Sequence, residues 1–237
     1  MKDQYFADVG DYGKYGLLRF LATQGISIAV NWYLTPNDPS SNDGKFRSYL
    51  KKESNSSYDQ ELFNALREIK DIRGFQVRSL IPNAVYYDRT IPVTDGLPRR
   101  EILEERAMWH KLAQVTCKEA ALVFVDPDNG LREGRPTARK DALKFVYASE
   151  ICDYYDAGQD VVYCCHKGRR KPDHWKQAKH IMKAHCPDAA LMGVTYHRGT
   201  QRSYVFVVHP EREEQYRSMV KAFLETPWKD MFTEEPI

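Results

Sequence analysis

The chain of 237 residues lacks any apolar run of the roughly 18 residues that a membrane-spanning helix needs. Its first residues, MKDQYF, resemble neither a signal peptide nor a transit peptide. Internal repeats and low-complexity tracts are missing, and a composition of 42% hydrophobic and 29% charged residues excludes a collagen-like or wholly disordered chain. We therefore expect one domain over residues 1–237 that is cytoplasmic and has no membrane partner.

Cysteine is scarce, and its spacing excludes two common roles. The cysteines are odd in number and two of them are adjacent, so no disulfide framework is implied. No pair has the C-x-x-C spacing of a structural zinc site. We expect reduced thiols at Cys117, Cys152, Cys164, Cys165 and Cys186.

Apolar runs alternate with helical patterns along the chain. Near-continuous apolar strands are typical of a parallel sheet that is covered on both faces. Strands are predicted at 26–34, 75–80, 84–88, 120–125, 160–165, 189–196 and 202–209. Helices are predicted at 11–23, 45–52, 58–70, 98–118, 141–155, 172–185 and 211–224. The turn at 197–200 predicts a closing hairpin. The expected fold is α/β, a single doubly wound, mainly parallel sheet with helices on both faces and a C-terminal antiparallel hairpin.

Polar, turn-forming residues follow three of the predicted strands. In an open α/β sheet, ligands bind beyond the carboxyl ends of the strands, so these segments are candidate site residues. Residues 35–44 follow the first strand, residues 126–130 the central strand and residues 166–170 the next. We expect the three segments to converge on one site.

The sharpest of these motifs is Asp126-Pro127-Asp128-Asn129-Gly130. Pro127 fixes φ and removes a donor, so the strand ends abruptly with Asp126 at its tip. The two carboxylates could orient a substrate amine, act as a base or bind a divalent cation, whereas the structural alternative is an Asx turn that only caps backbone groups. The candidate catalytic residues are Asp126, Asp128, Asn129 and, for acid–base work, His166.

A glycine-rich segment, residues 8–16 (DVGDYGKYG), opens the first predicted helix. Its glycines permit unusual backbone angles and close approach, and a helix N-terminus beside Lys14 can hold an anion. The alternative is a simple loop with Asp11 as a helix cap. The spacing of a P-loop is absent. Candidate cofactor-binding residues are Asp8, Gly10, Asp11 and Lys14 here, and Thr35, Asn37 and Asp43 after the first strand.

Basic residues concentrate between Val161 and Arg202. This window contains nine Lys and Arg but only two acidic residues, whereas the whole chain has a net charge of only +2. This concentration favours a phosphate-bearing partner, DNA or RNA, and the alternative is a solvated helix face. Trp175 and Tyr163 offer stacking surfaces beside these charges. Candidate nucleic-acid-binding residues are Lys167, Arg169, Arg170, His174, Arg198 and Arg202.

Two of these segments resemble known proteins with a class I methyltransferase-like fold. Residues 8–18, from Asp8-Val9-Gly10-Asp11 to Leu17-Leu18, resemble the start of the large-subunit ribosomal-RNA adenine-N6 methyltransferases, and the three-Cys-motif partner proteins begin with a similar Lys-Tyr-x-x-Leu-Leu helix. Leu122-Val123-Phe124-Val125-Asp126-Pro127 resembles the strand and Asp-Pro of the D-P-P-Y motif. The resemblance implies S-adenosylmethionine as cofactor, held by the N-terminal segment, and Asp126 at the catalytic centre.

The chain differs from this family at two places. Its first strand ends in Trp32-Tyr33-Leu34-Thr35 without a glycine-rich turn, and Asp128-Asn129 replace the second half of the motif, so no aromatic residue stands there to stack a flipped base.

Three hypotheses follow from the sequence. The first is an S-adenosylmethionine-dependent methyltransferase that acts on nucleic acid. The second is a nuclease or phosphoesterase with Mg²⁺ or Mn²⁺ on Asp126 and Asp128. The third is a non-catalytic nucleic-acid-binding module on the same fold. The oligomeric state stays open.

Overall fold

The structure is a computed structural model that describes residues 2, 6–36, 46–69, 80–93, 95–168, 171–235 and 237. Its strands are β1 (Ile28–Asn31), β2 (Val85–Tyr87), β3 (Leu122–Val125), β4 (Gly130–Arg132), β5 (Phe145–Tyr147), β6 (Asp160–His166), β7 (Ala190–Tyr196), β8 (Arg202–Val208) and β9 (Phe232–Glu235). Its helices are α1 (Val9–Thr23), α2 (Gln60–Glu68), α3 (Arg99–Cys117), α4 (Ala148–Asp156), α5 (Pro172–His180), α6 (Met182–His185) and α7 (Glu213–Glu225). Short 3-10 helices lie at Ser48–Lys51, Glu53–Ser57, Lys140–Lys144, Pro210–Arg212 and Pro227–Asp230.

Seven of these strands form one sheet in the order β2-β1-β3-β6-β8-β7-β9. Strands β2, β1, β3 and β6 pair in parallel, and β8 pairs antiparallel with both β6 and β7. The predicted mainly parallel sheet with a closing hairpin is therefore confirmed. Two features were not predicted: β9 extends the sheet beyond β7, and β4 and β5 form a separate parallel pair.

Helices cover both faces of the sheet, as predicted. Successive side chains of a strand point to opposite faces, so Leu122 and Phe124 of β3 belong to one core, with α1, α2 and α7, while Val123 and Val125 belong to the other, with α3 and α4. By this alternation Asp126, which follows β3, belongs to the α1 face.

The glycines of α1 allow the helix to pack closely on the hairpin and the C-terminal segment. A Cβ atom at Gly13 would lie 2.5 Å from the Tyr196 ring, and one at Gly16 would lie 2.2 Å from the Trp228 ring. The predicted close approach to the helix backbone is present, but the groups that approach it are protein side chains and not a ligand. The prediction of unusual backbone angles is wrong, because Gly10, Gly13 and Gly16 all lie inside the helix.

Some predicted elements differ in the structure. The helix predicted at 141–155 divides into a 3-10 turn, strand β5 and helix α4, since Phe145, Val146 and Tyr147 are buried residues of high β propensity. The helix predicted at 172–185 is interrupted at Ile181. At 45–52, the described residues form only a 3-10 turn. The strand predicted at 75–80 lies almost wholly outside the described residues. None of the described helices combines the length and apolar character needed to cross a membrane.

Candidate functional site

The carboxyl ends of β1 and β3 lie side by side where the strand order reverses. The chain places β2 on one side of β1 and β3 on the other, and such a switch point is where open α/β sheets bind ligands. Thr35 Oγ1, after β1, donates to Asp128 Oδ2, after β3, over 2.9 Å. The structure therefore brings the first two predicted segments together.

Lys14 of α1 joins this edge to the N-terminal segment. Its Nζ lies 2.7 Å from Asp11 Oδ1 and 2.5 Å from Asp126 Oδ2. All three residues are at most 3% exposed. Burial alone would lower the pKa of Lys14, but the carboxylates of Asp11 and Asp126 raise it above its ordinary value. The ammonium therefore stays charged and fixes both carboxylates in place.

Asp11 carries the unusual electrostatics of the site. Asp8 is the N-cap of α1, and its Oδ1 accepts a hydrogen bond from Asp11 N over 2.9 Å. Burial raises the pKa of Asp11 to about 7, although Lys14 opposes the shift. Asp11 Oδ2 is buried and has no hydrogen-bond partner within the described part of the chain. A buried acceptor of this kind is suited to a donor group of a ligand.

Two predicted ligand residues contact each other instead. Arg202 is buried, so the prediction that it contributes to a nucleic-acid-binding surface is wrong. Its guanidinium lies against Gly10, whose surface is therefore covered by protein and not open to a cofactor. The pKa of Arg202 is raised despite burial, with Tyr204, Cys164, Asp8 and Asp11 as the favourable neighbours.

The other predicted residues are dispersed around this edge. Asn129 is half-buried, and its N donates to Lys144 O. His166 ends β6 and lies opposite Arg202 in the β6–β8 register. Lys167 Nζ donates to Gln201 Oε1, whereas His174 and Arg198 are exposed. Asn37, Asp43, Arg169 and Arg170 lie outside the described residues.

The predicted stacking surfaces do not form as expected. Tyr163 is fully buried and its hydroxyl donates to Lys179 O, so it does not offer a face to a base. Trp175 is half-buried, with Lys167 Nζ 5.1 Å and Lys179 Nζ 4.1 Å from its ring. These ammonium groups already occupy positions over the ring that a base would need.

Three further residues belong to the site and were not predicted. Tyr15 and Tyr204 have buried hydroxyls without a hydrogen-bond partner among the described residues. Tyr15 follows Asp11 by four positions, and this helical spacing was the available signal. Asp88 directly follows β2 and is exposed. The strand predicted at 84–88 included Asp88, so the rule that marks residues beyond a strand end did not select it.

The turn after β1 is supported from the α3 face. Tyr33 adopts φ of +47°, and its hydroxyl donates to Glu150 Oε2. Arg106 forms hydrogen bonds to both oxygens of Glu150, at 2.8 and 3.0 Å. Burial would raise the pKa of Glu150, but Arg106 lowers it below its ordinary value. This buried ion pair holds the turn that follows β1.

The predicted metal ligands Asp126 and Asp128 are both engaged by protein groups, Lys14 and Thr35. In the described part of the chain, no group of three or more His, Cys, Asp or Glu side chains is arranged to hold a metal ion. A divalent cation on Asp126 Oδ2 would have to displace the buried ammonium group of Lys14.

Comparisons with known proteins identify no family. No family model matches the chain, and no curated protein matches it. Among solved structures it is similar to the crystal structure of protein LPL1258 from Legionella pneumophila, a member of the family DUF519. The two are 12% identical, the match covers 97% of this chain and 96% of that chain, and the TM-score is 0.48.

Proposed function

We propose that the chain is an S-adenosylmethionine-dependent methyltransferase that acts on an amine of nucleic acid, with Asp126 at the reactive centre. The observation that carries this proposal is the position of Asp126. It lies at the tip of β3, beside the switch point with β1, and is bound by Lys14 of α1. Two of these three elements, α1 and β3, carry the segments that resemble the ribosomal-RNA adenine-N6 methyltransferases.

The buried charges of the site fit a cationic methyl donor. Asp8, Asp11 and Asp126 provide three carboxylates, whereas Lys14 and Arg202 provide two cations. With Asp11 ionised the cluster has an excess of one negative charge, which attracts the sulfonium and ammonium groups of the donor. Asp11 Oδ2, the buried acceptor without a partner, is suited to the ammonium group.

The backbone around the switch point supports a binding role. Ala7 and Tyr33 have φ of +60° and +47°, a left-handed conformation that is strained for residues other than glycine and is concentrated at functional sites. The turn at Tyr33 thus has a left-handed bend without glycine. Asp88, after β2, stands where doubly wound nucleotide-binding folds place an acidic residue for the ribose hydroxyls.

The chain's own groups have distinct roles in this proposal. When bound, the donor supplies an electrophilic methyl group. The Asp126 carboxylate accepts a hydrogen bond from the target amine and directs the nitrogen lone pair towards the methyl group. Lys14 holds Asp126 in position, and Asp11 orients the donor's ammonium group. The exposed cations His174, when protonated, and Arg198 contribute phosphate contacts.

Isothermal titration calorimetry with S-adenosylmethionine and S-adenosylhomocysteine tests the proposal. We expect micromolar binding of the donor to the wild type and weaker binding to Asp11→Asn. Asp126→Asn should keep donor binding but lose methyl transfer to nucleic acid. Asp188→Asn, at an exposed carboxylate that follows α6 in the chain, is the matched control and should change neither.

Two results would contradict the proposal. The absence of heat with both compounds would reject the methyltransferase assignment and favour a binding module. Binding of Mg²⁺ that disappears in Asp126→Asn, without donor binding, would move the assignment to phosphodiester cleavage.

A further inference from the structure

A cavity lies on the α3 face of the sheet, next to the turn that follows β1. It has a volume of about 220 Å³ and is lined by residues 91–92 and 95–97, by α3 and by residues between 136 and 147. Ile91 N donates to Leu34 O over 2.8 Å, so the wall that follows β2 is attached to the turn after β1. The cavity wall is therefore tied to the turn after β1, on the face of the sheet opposite Lys14.

Arg106 provides the polar floor of this cavity. It is 7% exposed, and its Nε and Nη2 bind Glu150 and the carbonyl oxygen of Phe145. Nη1 takes part in none of these three bonds, so the guanidinium has donors left for a ligand. Arg106 also lines the adjoining groove, which contains Arg135.

The rim of the cavity is cationic. Arg139 and Lys140 have side chains that are 75% and 86% exposed, and each forms an ion pair with an exposed or half-exposed carboxylate, Asp141 or Asp95. Exposed pairs of this kind contribute little and rearrange easily. Three cations line the cavity against the single carboxylate of Asp95, so the cavity favours an anionic ligand.

The walls between floor and rim are apolar. They consist of Ile91, Pro92, Ile102, Leu143 and Tyr147. A ligand that fits must combine a flat apolar body, acceptor atoms at the inner end and an anionic group at the outer end. A nucleotide has this distribution, because its base is planar, its edges carry acceptor atoms and its phosphate is charged.

We propose that this cavity binds one nucleoside monophosphate unit, with the base between Ile91 and Leu143, a base acceptor on Arg106 Nη1 and the phosphate on Arg139 and Lys140. The nucleotide is either free or part of a strand. The strand form rests on the proposed function, since it makes the cavity a subsite for a nucleotide of the nucleic-acid substrate. The free form does not.

Calorimetry with the four 5′-ribonucleoside monophosphates and the matching nucleosides tests the proposal. We expect at least one monophosphate to bind more tightly than its nucleoside. Arg139→Ala together with Lys140→Ala should weaken monophosphate binding by roughly tenfold, with little effect on the nucleoside. Leu143→Trp should abolish binding of the monophosphate and of the nucleoside, because the larger side chain fills the cavity. Lys118→Ala, at the distant end of α3, is the control and should bind as the wild type does.

Competition experiments separate the sources of the nucleotide. A short single-stranded oligonucleotide that displaces the bound monophosphate supports the strand form, and failure to displace it supports the free form. Displacement by S-adenosylhomocysteine would assign the cavity to the methyl donor and overturn the proposal. Binding that survives Leu143→Trp in a protein whose circular dichroism is unchanged would overturn it too, as would the absence of nucleotide binding. Each result can be read whether or not the donor binds at the Asp126 site.

Discussion

The guanidinium of Arg202 lies so close to Gly10 that a Cβ atom at position 10 would be 2.2 Å from Arg202 Nη2. Gly10 belongs to the first turn of α1, and Arg202 begins β8. The contact therefore holds the hairpin of the sheet against the helix that carries Asp11 and Lys14. Because Asp8 and Asp11 are among the groups that raise the pKa of Arg202, the packing contact and the electrostatics of the candidate site involve the same arginine.

Gly10→Ala should destabilise the protein, although alanine is the better helix former. The helix propensity alone would stabilise the variant by about 1 kcal/mol. The added Cβ must displace a buried guanidinium, and overpacking of this kind costs about 1–3 kcal/mol. We expect a net loss of about 1 kcal/mol in urea unfolding. In an Arg202→Ala background the same substitution should be neutral or stabilising, and an equal loss in both backgrounds would contradict the contact.

The fold was predictable because local patterns determine it. Strand β3 reads as a continuous apolar run, and Pro127 ends it, so β3 and Asp126 follow from adjacent residues. The boundary between β5 and α4 did not follow, because Phe145, Val146 and Tyr147 fit a helix pattern as well as a strand and the choice depends on pairing with β4. The last strand, β9, has four residues of which three are polar, and its pairing with β7 joins residues about forty positions apart.

The site was predictable only in part for a similar reason. Asp126, Lys14 and Asp11 follow from motifs, but the sequence does not show that Lys14 connects the two carboxylates across more than a hundred positions. Gly10 and Arg202 belonged to separate motifs, each typical of ligand binding. Their mutual contact satisfies both residues within the fold, and only the packing of α1 on the hairpin reveals it.

Asp11→Asn should change how stability depends on pH. The folded pKa of Asp11, about 7, is higher than its ordinary value of 3.8, so between these values the folded state holds a proton that the unfolded chain has released. Stability from this group is therefore greatest below pH 4, falls as pH rises to about 7 and is constant above. Burial is the main cause of the raised pKa, Lys14 opposes it, and Asp8 and Asp126 add to it. Arg202 also faces Asp11.

The measurement is urea unfolding of both proteins at several pH values. The stability of the wild type relative to Asp11→Asn should decrease by a few kcal/mol from pH 4 to pH 7, at about 1.4 kcal/mol for each unit of pKa shift. Asp188→Asn should leave the pH profile parallel to that of the wild type. A parallel profile for Asp11→Asn would mean that Asp11 titrates normally.

Glu150→Gln should be strongly destabilising at neutral pH. It leaves Arg106 buried without a charged partner, and breaking a buried pair in this way costs about 3–5 kcal/mol. The folded pKa of Glu150 is lowered, so its contribution is complete above the ordinary value of 4.5 and is lost as pH falls below it. Chemical unfolding at pH 7 measures the loss.

The control for this substitution is Glu119→Gln, an exposed carboxylate 84% accessible beside Lys118. Its stability should stay within about 0.5 kcal/mol of the wild type. A similarly small change in Glu150→Gln would show that the Arg106 pair does not stabilise the turn at Tyr33.

Cys152 and Cys186 should form a disulfide under mild oxidation. Their sulfur atoms lie 3.5 Å apart, between α4 and the end of α6, and both are free thiols. With hydrogen peroxide, the two thiols lose their hydrogens and the peroxide is reduced to water. Burial raises the pKa of both thiols, so the reaction should be slow at neutral pH and faster in alkaline solution.

The loop closed by this disulfide should stabilise the protein by about 3 kcal/mol. Peptide mass spectrometry should find this cross-link, absent from Cys152→Ser, while the adjacent Cys164 and Cys165 stay reduced because they point to opposite faces of β6. A protein that keeps all its thiols under these conditions, or that cross-links another pair, would contradict the geometry at α4 and α6.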